Sequence, residues 1–154
     1  ITSAVRDAVD IPIWAKLTPN VTDITEIGVA AQEGGADAVV AINTVRAMAI
    51  DIDSGFPILG NRFGGMSGTA IKPIAVKCVY DLYGSLDIPI IGVGGISCWQ
   101  DAIEIVMAGA SAVQIGSAVH AGISVFAEVA DGIAGYCQTH GCSVTDICGL
   151  AHER

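Results

Sequence analysis

The 154 residues carry seven basic against sixteen acidic side chains, a net charge of -9. That balance excludes a nucleic-acid binder, which needs clustered Lys and Arg to displace counterions. At 52% hydrophobic residues with 19 glycines and 5% aromatics, the composition is that of a packed α/β domain and not of a disordered chain. No apolar run approaches the roughly 20 residues that span a bilayer and no basic-then-apolar leader opens the chain, so the expectation is a cytoplasmic protein without a membrane segment.

The opening "TSAVRDAVD" (2–10) reads as a helix end that feeds a first strand in "IPIWAKLTPN" (11–20). Thr22 is the expected N-cap of the next helix, with Asp23 and Glu26 in its first turn and a stripe of Ile24, Ile27 and Ala31 ending at Gly34-Gly35. "GGADAVVAINT" (34–44) supplies a second strand. About 25 residues then intervene, far beyond the usual 2–6 of such loops. Within them "MAIDID" (48–53) and "FPILGNRFGGMSG" (56–68) are expected to pair as a hairpin, placed where an active-site cover would sit. Ile71, Ile74, Cys78, Val79 and Leu82 mark a third helix, with Pro73 tolerated in its first turn.

"IPIIGVGGIS" (88–97) and "AGASAVQIGSA" (108–118) repeat the plan of the first two strands: Ile-Pro-Ile, a helix, then Gly-Ala-x-Ala-Val. Ile103, Val106 and Met107 stripe the helix between them, and Val125, Val129, Ile133 and Tyr136 mark a last one. The strands are continuous apolar runs, as expected of a parallel sheet covered on both faces. Four strand–helix units in alternation begin both an open doubly wound sheet and a (β/α)8 barrel. A barrel takes about 200–250 residues, so the chain reads as a fragment or one half of something larger.

Five cysteines, Cys78, Cys98, Cys137, Cys142 and Cys148, are odd in number and contain no C-x-x-C, the pattern of free thiols in a reducing compartment. Their spacing with His140 fits no zinc or iron–sulfur pattern. His120, His140 and His152 are dispersed and read as core or surface residues.

The chemistry concentrates at strand ends. Gly92, Gly94 and Gly95 close the third strand, and "IGSA" (115–118) follows the fourth. Consecutive small residues let several N–H groups meet one anion, so the pair predicts a phosphate site; "FGGMSG" (63–68) is a third such turn. Lys16, late in the first strand among apolar neighbours, is costly unless it meets an anion or water. Asn43 and Thr44 end the second strand with side chains able to recognise a polar heterocycle or to cap a turn.

These stretches resemble the class 1B dihydroorotate dehydrogenases in an archaeal-looking version. "WAKLTPNVTDI", "AINTV", "MAIDID", "FGGMSGTAIKPIAVK", "IPIIGVGGI" and "AGASAVQIGSA" follow in that family's order. The resemblance implies that residues 1–154 are one partial domain, the C-terminal half of an FMN-binding TIM barrel whose N-terminal half is missing. It implies the oxidation of dihydroorotate to orotate in pyrimidine synthesis. Lys16 would contact the flavin, Ile42 would pack on it, and Asn43 and Thr44 would hold the pyrimidine. Gly68, Gly94 with Gly95, and Gly116 with Ser117 would bind FMN, the two pairs cradling its phosphate. The proton-abstracting cysteine belongs to the missing half, so no catalytic base is assigned here. A partner subunit with FAD and an iron–sulfur cluster, and a homo-oligomer, are implied as well.

Other readings stay open at this level. The pyrimidine-reducing domain of dihydropyrimidine dehydrogenase shares "KLTPNVTDI", "NTV" and the same flavin. A phosphate-binding barrel aldolase or synthase would use Lys16 as a Schiff-base amine. A non-catalytic half-barrel would survive by pairing with a second copy.

Overall fold

Each Ile-Pro-Ile run leads into a strand where the sequence places one. The computed structural model describes residues 1–153. Its strands are β1 (Trp14–Leu17), β2 (Ala38–Ala41), β3 (Val45–Ala47), β4 (Gly64–Met66), β5 (Ile90–Val93) and β6 (Ala112–Gln114). The helices are α1 (Thr2–Arg6), α2 (Ile24–Glu33), α3 (Lys72–Tyr83), α4 (Trp99–Met107), α5 (Val125–His140) and α6 (Val144–Ile147). Four strands make one parallel sheet in the order β1-β2-β5-β6, and β3 and β4 form a separate two-stranded sheet. This is an α/β fold built on a parallel sheet.

Register follows from side-chain alternation. Ala15 lies opposite Val39 and Val39 opposite Ile90; one step along, Lys16 pairs with Val40 and Val40 with Ile91. The first set joins the main core with Ala75, Val79 and Leu82 of α3 and Ala102 and Ile105 of α4. Val40 and Ile91 of the second set, with Ala38 and Val93, form a small cluster that contains no helical residue. Helices therefore cover one face only, where the apolar strands led us to expect two. Strand order explains the difference: neighbours in the chain are neighbours in the sheet, and crossovers of one hand deliver every helix to the same side. On the bare face the central Val40 and Ile91 are buried between adjacent strands, while Trp14 on the edge strand stays 57% exposed.

Helix faces are set by close approach. Gly28 weakens α2 by about 1 kcal/mol relative to Ala, yet a Cβ there would lie 2.5 Å from Leu82 Cδ2 of α3. Gly28 and Ala75 thus take the inward positions, and the expected stripe residues Ile27 and Ile74 are turned outward. Leu82 is fully buried, so Leu82→Ala should cost the intact protein about 3 kcal/mol, read as a lowered denaturation midpoint with unchanged m-value. The α2 cap is Asp23 and not Thr22: its carboxylate accepts from Thr25 N–H at 2.8 Å and Thr25 Oγ1 at 2.7 Å. A carboxylate at a helix N-terminus also meets the dipole favourably.

The long connection is a hairpin, with its ladder nearer the feet than expected. Val45–Ala47 pairs antiparallel with Gly64–Met66, and a single bridge joins Ile50 of "MAIDID" to Pro57. No helix among the described residues is long and apolar enough to cross a membrane.

Candidate functional site

Because the sheet is parallel, the carboxyl ends of its strands share one rim, and loops there can act together. The structure brings Lys16, Ile42, Asn43, Thr44, Gly68, Gly94, Gly95, Gly116 and Ser117 to the wall of a single cleft at that rim, of about 140 Å³. β1 supplies Lys16. The chain leaving β2 supplies Ile42, Asn43 and Thr44, the Ala41–Ile42 peptide being cis. Both feet of the hairpin stand in the cleft, Thr44 before β3 and Ser67-Gly68 after β4. The turns after β5 and β6 close it.

The charge pattern is one-sided. Of sixteen acidic residues in the chain none lines this cleft, and Lys16 is its only charged side chain. Among the described residues Lys16 has no ion-pair partner. The backbone N–H groups of Gly94, Gly95, Gly116 and Ser117 likewise have no protein acceptor among the described residues. Unsatisfied donors and one cation facing a concave space favour an anion.

The glycines differ in what demands them. Gly116 has open space where a side chain would be, and at Gly68 (φ 90°) the nearest neighbour is Ser117 Oγ at 3.8 Å. Those two keep side chains out of the cleft. Gly94 and Gly95 instead lie against α3: added Cβ atoms would meet Ala75 Cβ at 2.8 Å and Lys72 N at 2.8 Å. Helix packing as well as access to the main chain therefore requires them.

Asn43 is oriented by its own backbone, whose N–H donates to Leu17 O at 2.7 Å, while its Oδ1 accepts from Thr44 N–H at 2.8 Å. Its Nδ2 has no protein acceptor among the described residues. Sequence reasoning missed Asn20, which bridges two rim loops. Its Nδ2 donates to Thr44 O at 2.9 Å and to Thr18 Oγ1 at 2.8 Å, and its Oδ1 accepts from Arg46 N–H at 2.8 Å. The signal available was an Asn closing "LTPN" at a strand's carboxyl end. Ser67, Val93 and Ile96 also line the cleft without having been singled out, as does Ile71, expected only as a helix-stripe residue. None of the cysteines or histidines does. His152 instead stacks on Tyr80, ring centroids 3.8 Å apart.

Residues 1–136 match the family model described as "Dihydroorotate dehydrogenase". The chain is 66% identical over 153 residues to the "Dihydroorotate dehydrogenase B (NAD(+)), catalytic subunit" of Methanocella arvoryzae, covering 99% of this chain and 51% of that one. Proteins of the same name from Methanosarcina acetivorans and Pyrococcus abyssi are 62% and 59% identical, over 99% and 98% of this chain and 50% and 51% of theirs. The chain spans about half the length of the curated relatives it matches.

Proposed function

The chain belongs to the dihydroorotate dehydrogenase family, and on that premise we propose that residues 1–154 are one partial domain, the C-terminal half of an FMN-binding (β/α)8 barrel that oxidises dihydroorotate to orotate. Strands in sequential order with helices on one face suit a barrel wall. Largely apolar grooves flank both edges of the sheet, which suits a sheet continuing in both directions. A cavity of about 560 Å³ beside β1 involves Trp14 and Ile27, and one of about 460 Å³ beside β6 involves Val113 and Phe126. The rim cleft, at about 140 Å³, is smaller than the roughly 300–1,000 Å³ of small-molecule sites. Its remaining wall is assigned to the other half of the barrel.

The observation that carries the reading is a cleft free of carboxylates, with one cation and unpaired amides, in so acidic a chain. These residues fit FMN. The Gly94–Gly95 and Gly116–Ser117 amides would hold its phosphate, the bare Gly68 would admit the ring system, and Ile42 would pack on it and keep water away. Bound FMN supplies the acceptor for the electron pair taken from dihydroorotate. Lys16 Nζ would hold a positive charge at the ring edge where negative charge gathers. The Asn43 amide and the Thr44 hydroxyl would hydrogen-bond the pyrimidine and orient it. With no cysteine or histidine in the cleft, proton abstraction is assigned to the other half.

The relatives' name includes "B (NAD(+)), catalytic subunit". We extend this to a partner subunit with FAD and an iron–sulfur cluster that passes electrons to NAD, with the catalytic subunit itself a homo-oligomer. The five cysteines are all free, which suits a reducing cytoplasm.

The full-length protein should purify yellow, and anaerobic dihydroorotate should bleach its visible flavin band, whereas uracil with NADPH should leave the band unchanged. A colourless protein that takes up no FMN, or a band that dihydroorotate does not bleach, would overturn the proposal.

A further inference from the structure

One buried charged side chain occurs among the described residues, Asp101 of α4, at 8% exposure, and it does not line the cleft. Its Oδ1 accepts from Lys72 Nζ at 2.8 Å. Its Oδ2 accepts from the Ser97 N–H and hydroxyl, both at 2.9 Å, and from the Cys98 N–H at 3.2 Å and thiol at 3.3 Å. Burial alone would raise this carboxyl, but the Lys72 ammonium and the Ser97 and Cys98 donors outweigh it and hold it well below the ordinary carboxylate range. Hydrogen bonds to Asp101 and Glu104 push Lys72 above its usual value. The pair stays ionised.

A helix cap needs only the Ser97 and Cys98 donors. The bond to Lys72, the first residue of α3, goes further and ties two helices together at their N-termini. Those two points flank the glycine turn. Ser97 follows Gly95 by two residues, and Gly95 rests on Lys72 so closely that a Cβ would come within 2.7 Å of Lys72 Cβ. The N-terminal end of α3 is in turn continuous with the turn at Gly68, whose carbonyl accepts from Ile71 N–H at 3.1 Å. Lys72 Nζ also pairs with the half-exposed Glu104 Oε2 at 2.7 Å, but of the two carboxylates only the buried Asp101 reaches both Lys72 and Ser97, and so flanks the glycine turn from behind on both sides.

We infer that Asp101 is a positioning residue that, through Lys72 and Ser97, holds the Gly94–Gly95 amides at the spacing that binds the cofactor's phosphate. The inference rests on reading the cleft as an FMN site. Removing the phosphate from the ligand should therefore remove the effect of the residue.

The test uses apoprotein of the full-length chain, titrated with FMN and with riboflavin by quenching of flavin fluorescence. Asp101→Asn should weaken FMN about tenfold, as expected when buried charge-assisted hydrogen bonds are lost, and leave riboflavin within about twofold. Ser97→Ala removes one donor without unpairing Lys72 and should weaken FMN about threefold, again sparing riboflavin. If Asp101→Asn does not fold, Ser97→Ala carries the test. In a folded variant, equal weakening of both ligands, or weakening of neither, would overturn the inference. A wild-type protein that does not prefer FMN to riboflavin would instead overturn the reading of the cleft.

Discussion

Gly95→Ala in the full-length protein should lower stability by about 3 kcal/mol and abolish retention of FMN through purification. Two costs combine. Gly95 has φ 75°, a conformation that costs an L-residue roughly 1–2 kcal/mol. The new methyl group would also meet Lys72 N at 2.8 Å and Lys72 Cα at 2.9 Å, and backbone cannot rotate aside as a side chain can. Gly55→Ala is the control, because Gly55 has φ 73° and nothing within 4 Å of an added Cβ. It should show the conformational cost alone, about 1–2 kcal/mol, with FMN retained. Thermal melts and the ratio of visible to ultraviolet absorbance read both outcomes; equal effects of the two substitutions would show that packing on α3 is not what requires Gly95.

Lys16→Met should slow flavin reduction by dihydroorotate by about 10²–10³-fold, the usual effect of deleting one preorganised electrostatic group. Methionine keeps most of the length and the apolar character of the lysine stem but not the charge. Since the amides proposed for the phosphate come from the β5 and β6 turns, FMN occupancy should persist. Lys16→Arg should recover part of the rate. Anaerobic stopped-flow monitoring of the flavin band separates the reduction step from binding. A rate within a few-fold of wild type would remove Lys16 from the chemistry and leave it a strand-end lysine.

Much of this architecture was legible because it is local. Ile-Pro-Ile and Gly-Ala-x-Ala-Val announce strands, and glycines follow the ends of β5 and β6; β1, β2, β5 and β6 lie within those stretches. Eight of the nine residues singled out share a cleft because a parallel sheet gathers its strand ends at one rim, and Gly68 joins them through the foot of the hairpin. What the sequence concealed is relational. Thr22 and Asp23 are both capping residue types, and only the backbone decides which side chain reaches Thr25. Ile27 and Ile74 look inward by periodicity, yet Gly28 and Ala75 take those places because adjacent elements approach too closely for a larger side chain. Asn20 and Asp101 act on Thr44 and Lys72, 24 and 29 residues away, beyond the reach of any local pattern. An apolar strand, finally, does not state what covers it, so the bare face was read as a covered one.

Sequential strand order also divides the work of folding unevenly along the chain. Trp14–Ala38 and Ile91–Ala112 each close a loop of roughly 20–25 residues, whereas Val39–Ile90 closes roughly 50, and each doubling of loop length costs about 0.6 kcal/mol more in chain entropy. The two duplicated modules can zip up independently, and their junction bears the larger penalty. A chain built this way can be lengthened by copying modules end to end, because every newcomer needs to recognise only the strand beside it.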